Sequence, residues 1–347
     1  MKKLLLLAAS VAIFAACSEK EQLNETTEIP IDFTRSYIEN VTKAPYTSNN
    51  FATTGNTMGV FGWKKNGSVY TQVFNDQSVN YNQTKTNDWG YTPKKYWDSS
   101  ADNYIFYAYA PHSAAFTGTV TAPTYSSANS FAITGFTQST TVANQIDLLV
   151  DLTSQTNNQA NTSTASTKPK VSFTFNHILT QVNIVMGVSA SLKADNQDNP
   201  VAVQSVVLND VKIQGTYSYS NSAWGWSAQA SPTDFEAKTK TVENKTVVFQ
   251  SDELGTTAKD VPDLVELLLI PGSVTGYSIT VNYTIGTEAF EKTISLSDFK
   301  NGNNSLTTWA VGYNYIYALT IGPAPIEFDT PSIGDWGTGG TYSYTIE

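Results

Sequence analysis

Only one residue of the 347 is cysteine, and it stands at position 17. An intrachain disulfide is therefore impossible, and so is a cysteine-built metal site. Two histidines, His112 and His177, are too few for a histidine-rich centre. The chain carries one arginine, Arg35, against nineteen lysines. No Gly-x-Ser-x-Gly elbow, glycine-rich phosphate loop or His-Glu-x-x-His run occurs. Carboxylate pairs such as Asp147 and Asp151 are present, but two acids among thirty carry no meaning without geometry. These absences point away from an enzyme and from any cofactor or metal. Charged residues make up only 14% of the chain and the net charge is −10, which argues against a nucleic-acid partner. No stretch of a dozen residues shows convincing helical amphipathicity.

What is present begins with "MKKLLLLAASVAIFAACSEKEQ". Lys2 and Lys3 precede an apolar run from Leu4 to Phe14, and Ala15 and Ala16 lead into Cys17. The run is too short to span a bilayer as a mature helix. Residues 1–16 read as a lipoprotein signal, cut before an acylated Cys17. Phe14 stands where leucine is more usual, and a secretory peptide with an accidental cysteine is the plainer alternative. Acyl chains on Cys17 would hold the protein to a membrane, at about 0.8 kcal/mol per buried methylene. The polar stretch "SEKEQLNETTE" then reads as a tether.

Alternation with period two recurs along the rest of the chain, as in "NYIFYAYAP" (103–111) and "KVSFTFNHILTQVNIVMGV" (170–188). Gly, Pro, Asn and Asp clusters punctuate it at the spacing of β-sandwiches. The fold class is all-β. "VPDLVELLLI" reads equally as a short helix or a buried strand. "SQTNNQANTSTASTKPK" (154–170) is polar and of low complexity, either an interdomain linker or a long loop. His177 reads as a packed strand residue with one ring nitrogen bonded. Seven tryptophans and nineteen tyrosines mostly fill cores. The dense clusters "WGYTPKKYW" (89–97) and "SAWGWSAQ" (222–229) leave a glycan-binding surface open as a second reading.

The two ends of the chain share a pattern. In "TEIPIDFTRSY" (27–37), Ile29, Ile31 and Phe33 alternate with Pro30, Asp32 and Thr34, and Pro30 confines such a strand to an edge or a strand start. Arg35 follows at once. In "GTYSYTIE" (340–347), Tyr342, Tyr344 and Ile346 alternate in the same way, after glycines 337, 339 and 340 that would let the segment swing free. One reading is an ordinary first strand, an ordinary last strand and an arginine of no consequence. The other is strand replacement. Cutting after Arg35 would release the first strand with its lipid, and a neighbour's terminal strand would fill the vacated groove. Such a head-to-tail contact does not close on itself and builds a filament.

The chain resembles the Bacteroidetes fimbrillin family of Mfa-like and FimA-like pilus subunits. The similarity runs through "VTKAPYTSNNFATTGNTMGVFGW" (41–63), "YTPKKYWDSSADNYIFYAYAP" (91–111), "DLLVD" (147–151), "VSFTFNHILTQVNIVM" (171–186) and "WAVGYNYIYALTIGPAPIEFDTPSIGDW" (309–336). The acidic start of the tether is similar to the surface-export signals of lipoproteins from these bacteria. The resemblance implies two tandem transthyretin-like β-sandwiches, here 37–168 and 169–347, after a tether and removable first strand at 17–36. It implies export as an outer-membrane lipoprotein and trimming by an arginine- or lysine-specific protease, with Arg35 the matching site and Lys43 the competitor. Polymerisation with other fimbrial subunits into a cell-surface fimbrium by donor-strand exchange then follows, in support of adhesion to a host or bacterial surface ligand or of biofilm formation. A stalk needs both a removable strand and a free donor, so stalk is the expected position; tip, anchor, and monomeric glycan-binding lipoprotein are the alternatives.

Overall fold

The computed structural model describes residues 28–34, 37–38, 51, 53, 55–82, 88–157, 170–194, 199–242, 245–250, 252–301, 304–323 and 340–346. Among them the chain is built from strands, apart from one five-residue helix, Ala190–Ala194, and short 3-10 turns. The all-β class expected from the alternation is what forms. The ambiguous "VPDLVELLLI" resolves into turns followed by a buried three-residue strand, Leu267–Leu269.

The first twelve strands in chain order are β1 (Tyr37–Ile38), β2 (Thr57–Asn66), β3 (Val69–Asn82), β4 (Asp88–Gly90), β5 (Asn103–Ala110), β6 (Thr117–Thr121), β7 (Ala132–Thr137), β8 (Leu149–Asn157), β9 (Thr174–His177), β10 (Thr180–Val188), β11 (Val201–Ser220) and β12 (Ala223–Glu236). A first sheet has the order β1-β9-β8-β5-β2-β3-β4. Its β2–β3 hairpin turns through two residues, and Gly67 takes φ +57° there, a conformation such tight loops require.

The period-two pattern of this sheet feeds two cores at once. Tyr104, Phe106 and Ala108 of β5 enter one cluster with Phe33, Phe74, Tyr91 and Phe173. Tyr107 and Tyr109, on the opposite face, enter another with Phe61, Phe131, Phe136 and Tyr217. A strand buried on both faces reads as a nearly continuous apolar run, which "NYIFYAYA" is.

A second sheet runs Lys259–Asp260, β10, Asn314–Ile321, Gly340–Ile346, Lys300–Asn301, Asn304–Ser305, with Leu267–Leu269 also paired to β10. A third runs Glu288–Ser295, Ser278–Ile285, β11, β7, β6, with β12 also on β11. Val182, Ile184 and Met186 of the second sheet pack against Val206, Leu208 and Val281 of the third. The twenty-residue β11 reaches two cores. Its first two-thirds, to Ile213, lies in the cluster shared with the second sheet, and Tyr217 lies in the cluster shared with the first. Its pairing shifts between Leu208 and Val211, where Asp210 takes φ +61°, the mark of a bulge that redirects a strand.

Pairing crosses the polar segment 154–170. β7 before it pairs with β11 after it, and Leu149 of β8 pairs with His177 of β9.

Candidate functional site

Residues 29–34 lie in a groove beside the first sheet. They belong to no ladder of their own but make single bridges on both flanks. Pro30 meets Tyr96 and Phe33 meets Trp89 in antiparallel sense, while Phe33 meets Val171 in parallel sense. Backbone hydrogen bonds follow the same scheme. Ile31 N–H donates to the Lys95 carbonyl at 2.8 Å, and Trp97 N–H to the Ile29 carbonyl at 2.9 Å. On the other flank Thr34 N–H donates to the Val171 carbonyl at 2.9 Å, and Val171 N–H to that of Asp32 at 2.8 Å. The alternation read from the sequence sets what goes inward. Ile31 and Phe33 are fully buried, Ile29 is half-buried, and Asp32 points far enough out to pair with the Lys94 ammonium at 3.0 Å.

The floor of the groove is aromatic. The Phe33 ring lies edge-on to Phe74 and Tyr91, each at 5.6 Å, and is stacked on Phe173 at 5.9 Å. The Tyr91 hydroxyl donates to the Ile31 carbonyl at 2.6 Å. Burial pushes that phenol up to about 12 from its ordinary 10.0. Burying Ile31 and Phe33 contributes about 1.5–3 kcal/mol each before chain ordering is subtracted. These wall residues come from β3, β5, the 89–97 segment and the start of the second half. No local pattern in the sequence announces them as partners. The cluster "WGYTPKKYW", a glycan candidate by composition, is largely this wall: of its four aromatic rings Trp89, Tyr91 and Trp97 are buried and Tyr96 is exposed.

Cys17, Arg35 and Lys43 lie outside the described residues. The terminal segment carrying Tyr342, Tyr344 and Ile346 forms a strand, Gly340–Ile346, within the second sheet of its own chain. It pairs in parallel with Asn314–Ile321 from Tyr315–Gly340 to Ile321–Ile346, and on its other flank Ser343 pairs with Lys300. A strand expected to swing free thus holds an interior place. The physical reason is that the adjoining strand Asn314–Ile321 would otherwise present one unpaired edge.

The remaining candidates have structural settings. His177 is buried at the end of β9 with Nδ1 2.9 Å from Asp147 Oδ1. His112 Nδ1 accepts from Ala114 N–H at 3.3 Å in a turn. Asp151 accepts from Thr153 and from Thr174 N–H, tying β8 to β9. Asp147 and Asp151 therefore serve separate partners.

An all-β protein of stacked sheets, with an N-terminal segment docked in an aromatic groove, is the class these observations define. The chain belongs to the fimbrillin-like family, whose model matches residues 42–336. It is 27% identical over 361 residues to the fimbrium subunit Fim1C of Phocaeicola vulgatus, with 92% of each chain covered. Its fold is similar to the crystal structure of a fimbrial protein from Bacteroides vulgatus ATCC 8482, at a TM-score of 0.57 and 17% identity over 90% of this chain and 98% of that one. A candidate cell adhesion protein from Bacteroides uniformis ATCC 8492 is similar at a TM-score of 0.51 and 16% identity, over 91% and 98%.

Proposed function

We propose that this protein is a structural subunit of a cell-surface fimbrium, exported as an outer-membrane lipoprotein through Cys17 and activated by loss of its first strand. Cleavage after Arg35, with Lys43 as the competing site, severs 29–34 from the fold. The vacated groove then accepts a strand from another fimbrial subunit. The observation that supports this reading is the seating of 29–34. It is held by backbone bonds on both flanks and by Ile31 and Phe33, and it meets its neighbours through single bridges and not through a ladder. A segment held in that manner can be exchanged for another of like alternation without rebuilding the sheet.

One observation bears on position in the filament. A stalk subunit must give its terminal strand to a neighbour. Here Gly340–Ile346 is paired along its length with Asn314–Ile321. Donation would strip that edge, whereas a tip subunit accepts a strand and donates none. This supports the tip over the stalk position expected from the sequence pattern.

Limited trypsin digestion of the full chain, followed by N-terminal sequencing and gel analysis without heating, tests the proposal. Cleavage after Arg35 should release 29–34 and allow a synthetic peptide of that sequence to rebind. A tip subunit then stays monomeric alone and assembles only with a second fimbrial protein. Heat-resistant ladders from this protein alone restore the stalk position. Retention of 29–34 after complete cleavage, with no exchange against added peptide, overturns strand replacement.

A further inference from the structure

A second concave site lies away from the groove, where β8, β9 and the β11–β12 hairpin meet. It is a cavity of about 260 Å³. Its aromatic side is Tyr217 and Trp224, whose rings stack at 5.5 Å with planes 14° apart. Aliphatic groups of Val150 and Ile178 form the base, and Thr153 and Asn176 stand exposed at the rim. The hairpin is fixed over the site by Trp226, whose Nε1–H donates to the Ile178 carbonyl at 2.5 Å.

The chemistry of this lining is selective. Among the described residues no lysine, arginine, aspartate or glutamate lines it, and its imidazole, His177, is held through Nδ1 by Asp147. An anion or a cation finds no counter-charge there. The Asn176 side chain makes no hydrogen bond to a described residue, and Thr153 Oγ1 donates to Asp151 at 2.6 Å, leaving its lone pairs as acceptors. The cavity thus offers an aromatic wall, the Asn176 amide and one acceptor oxygen. Its volume falls just under the range of about 300–1,000 Å³ that holds drug-sized ligands.

We propose that this cavity binds a single neutral pyranose ring, as the end unit of a glycan. A pyranose matches each feature: a C–H face for the aromatic wall, hydroxyls for Asn176 and Thr153, no charge, and a size that admits one ring. The site stands apart from the strand-accepting groove, so its test uses the uncleaved protein and bears on sugar recognition alone.

Saturation-transfer NMR on the full chain with free galactose, mannose, fucose and N-acetylglucosamine, and with N-acetylneuraminic acid as the charged comparison, decides the matter. At least one neutral sugar should bind saturably in the millimolar range and the acidic sugar should not. Asn176→Ala, an exposed rim residue, should weaken that binding about fivefold. Trp224→Ala should weaken it about tenfold, with circular dichroism establishing that the variant is folded. The proposal is overturned if none of the four neutral sugars binds, if the acidic sugar binds equally well, or if Asn176→Ala leaves the affinity unchanged.

Discussion

The Tyr91 hydroxyl donates to the Ile31 carbonyl at 2.6 Å, across sixty residues of sequence. This buried bond joins the wall of the groove to the backbone of the segment that fills it. The same hydroxyl also takes part with Lys95, whose N–H donates to it at 3.2 Å. Tyr91 therefore bonds both to its own flank of the groove, at Lys95, and to the segment seated there.

Tyr91→Phe should loosen 29–34 selectively. The ring packing on Phe33 survives while the Ile31 carbonyl loses its phenol partner, at a cost of about 1–3 kcal/mol. Hydrogen exchange at the amides of Ile31 and Thr34 should accelerate in the variant, while exchange within β11 stays unchanged. Equal acceleration at both places would show that Tyr91 supports the whole fold rather than this contact.

Phe33→Ala removes a fully buried ring that touches four aromatic neighbours. A loss of about 3–5 kcal/mol is expected from such a truncation. A synthetic peptide of residues 28–34 carrying the same change should fail to rebind the cleaved protein at concentrations where the natural sequence saturates it.

Alkali should unfold the protein over a defined window. Burial raises the phenols of Tyr91, Tyr104, Tyr277 and Tyr315, and drives Tyr109 and Tyr217 higher still. For an acid whose folded pKa lies above its unfolded one, the neutral form favours the fold. That contribution is complete below pH 10 and is lost as the pH climbs toward 12. Denaturation midpoints should hold steady up to about pH 9 and fall steeply beyond 10, and phenolate absorbance should rise together with the loss of near-ultraviolet circular dichroism. Tyrosine ionisation that is complete while the fold persists would contradict it.

Gly59 faces Tyr109 directly in the β2–β5 ladder, and a methyl group there would overlap the tyrosine ring. The ring cannot retreat easily, because its hydroxyl donates to Asp76 at 2.5 Å. Gly59→Ala should destabilise the protein by about 1–3 kcal/mol, the range for overpacking a close-packed core. Gly225, where an added Cβ meets nothing within 4 Å, is the control. Gly225→Ala should shift the thermal midpoint far less.

Deleting 340–346 distinguishes an integral strand from a spare one. If the strand completes the second sheet, its removal uncovers the edge of Asn314–Ile321 over seven residues. The truncated protein should then lose more than about 4 kcal/mol and aggregate through that edge. A truncated protein that unfolds at the same denaturant midpoint would mark the strand as dispensable to its own chain and return it to the role of donor.

The sequence by itself determined the strand content, the inward residues of 29–33 and the absence of a cysteine or histidine metal site, because these follow from residue type and from a local period of two. It marked Ile29, Ile31 and Phe33 as one face of a short strand, and the structure buries the latter two. It pointed to the terminal strand through the same alternation. Only the tertiary structure decided where those strands go. The groove around Phe33 is assembled from Phe74, Tyr91, Phe106 and Phe173, which lie up to 140 positions away in the chain. The terminal strand settles between Asn314–Ile321 and Lys300–Asn301 because their edges are available in space, a property no alternation records. The cavity beneath Trp224 exists because β8, β9 and the β11–β12 hairpin converge, and side-chain periodicity fixes which face a residue takes without fixing which other strand that face will meet.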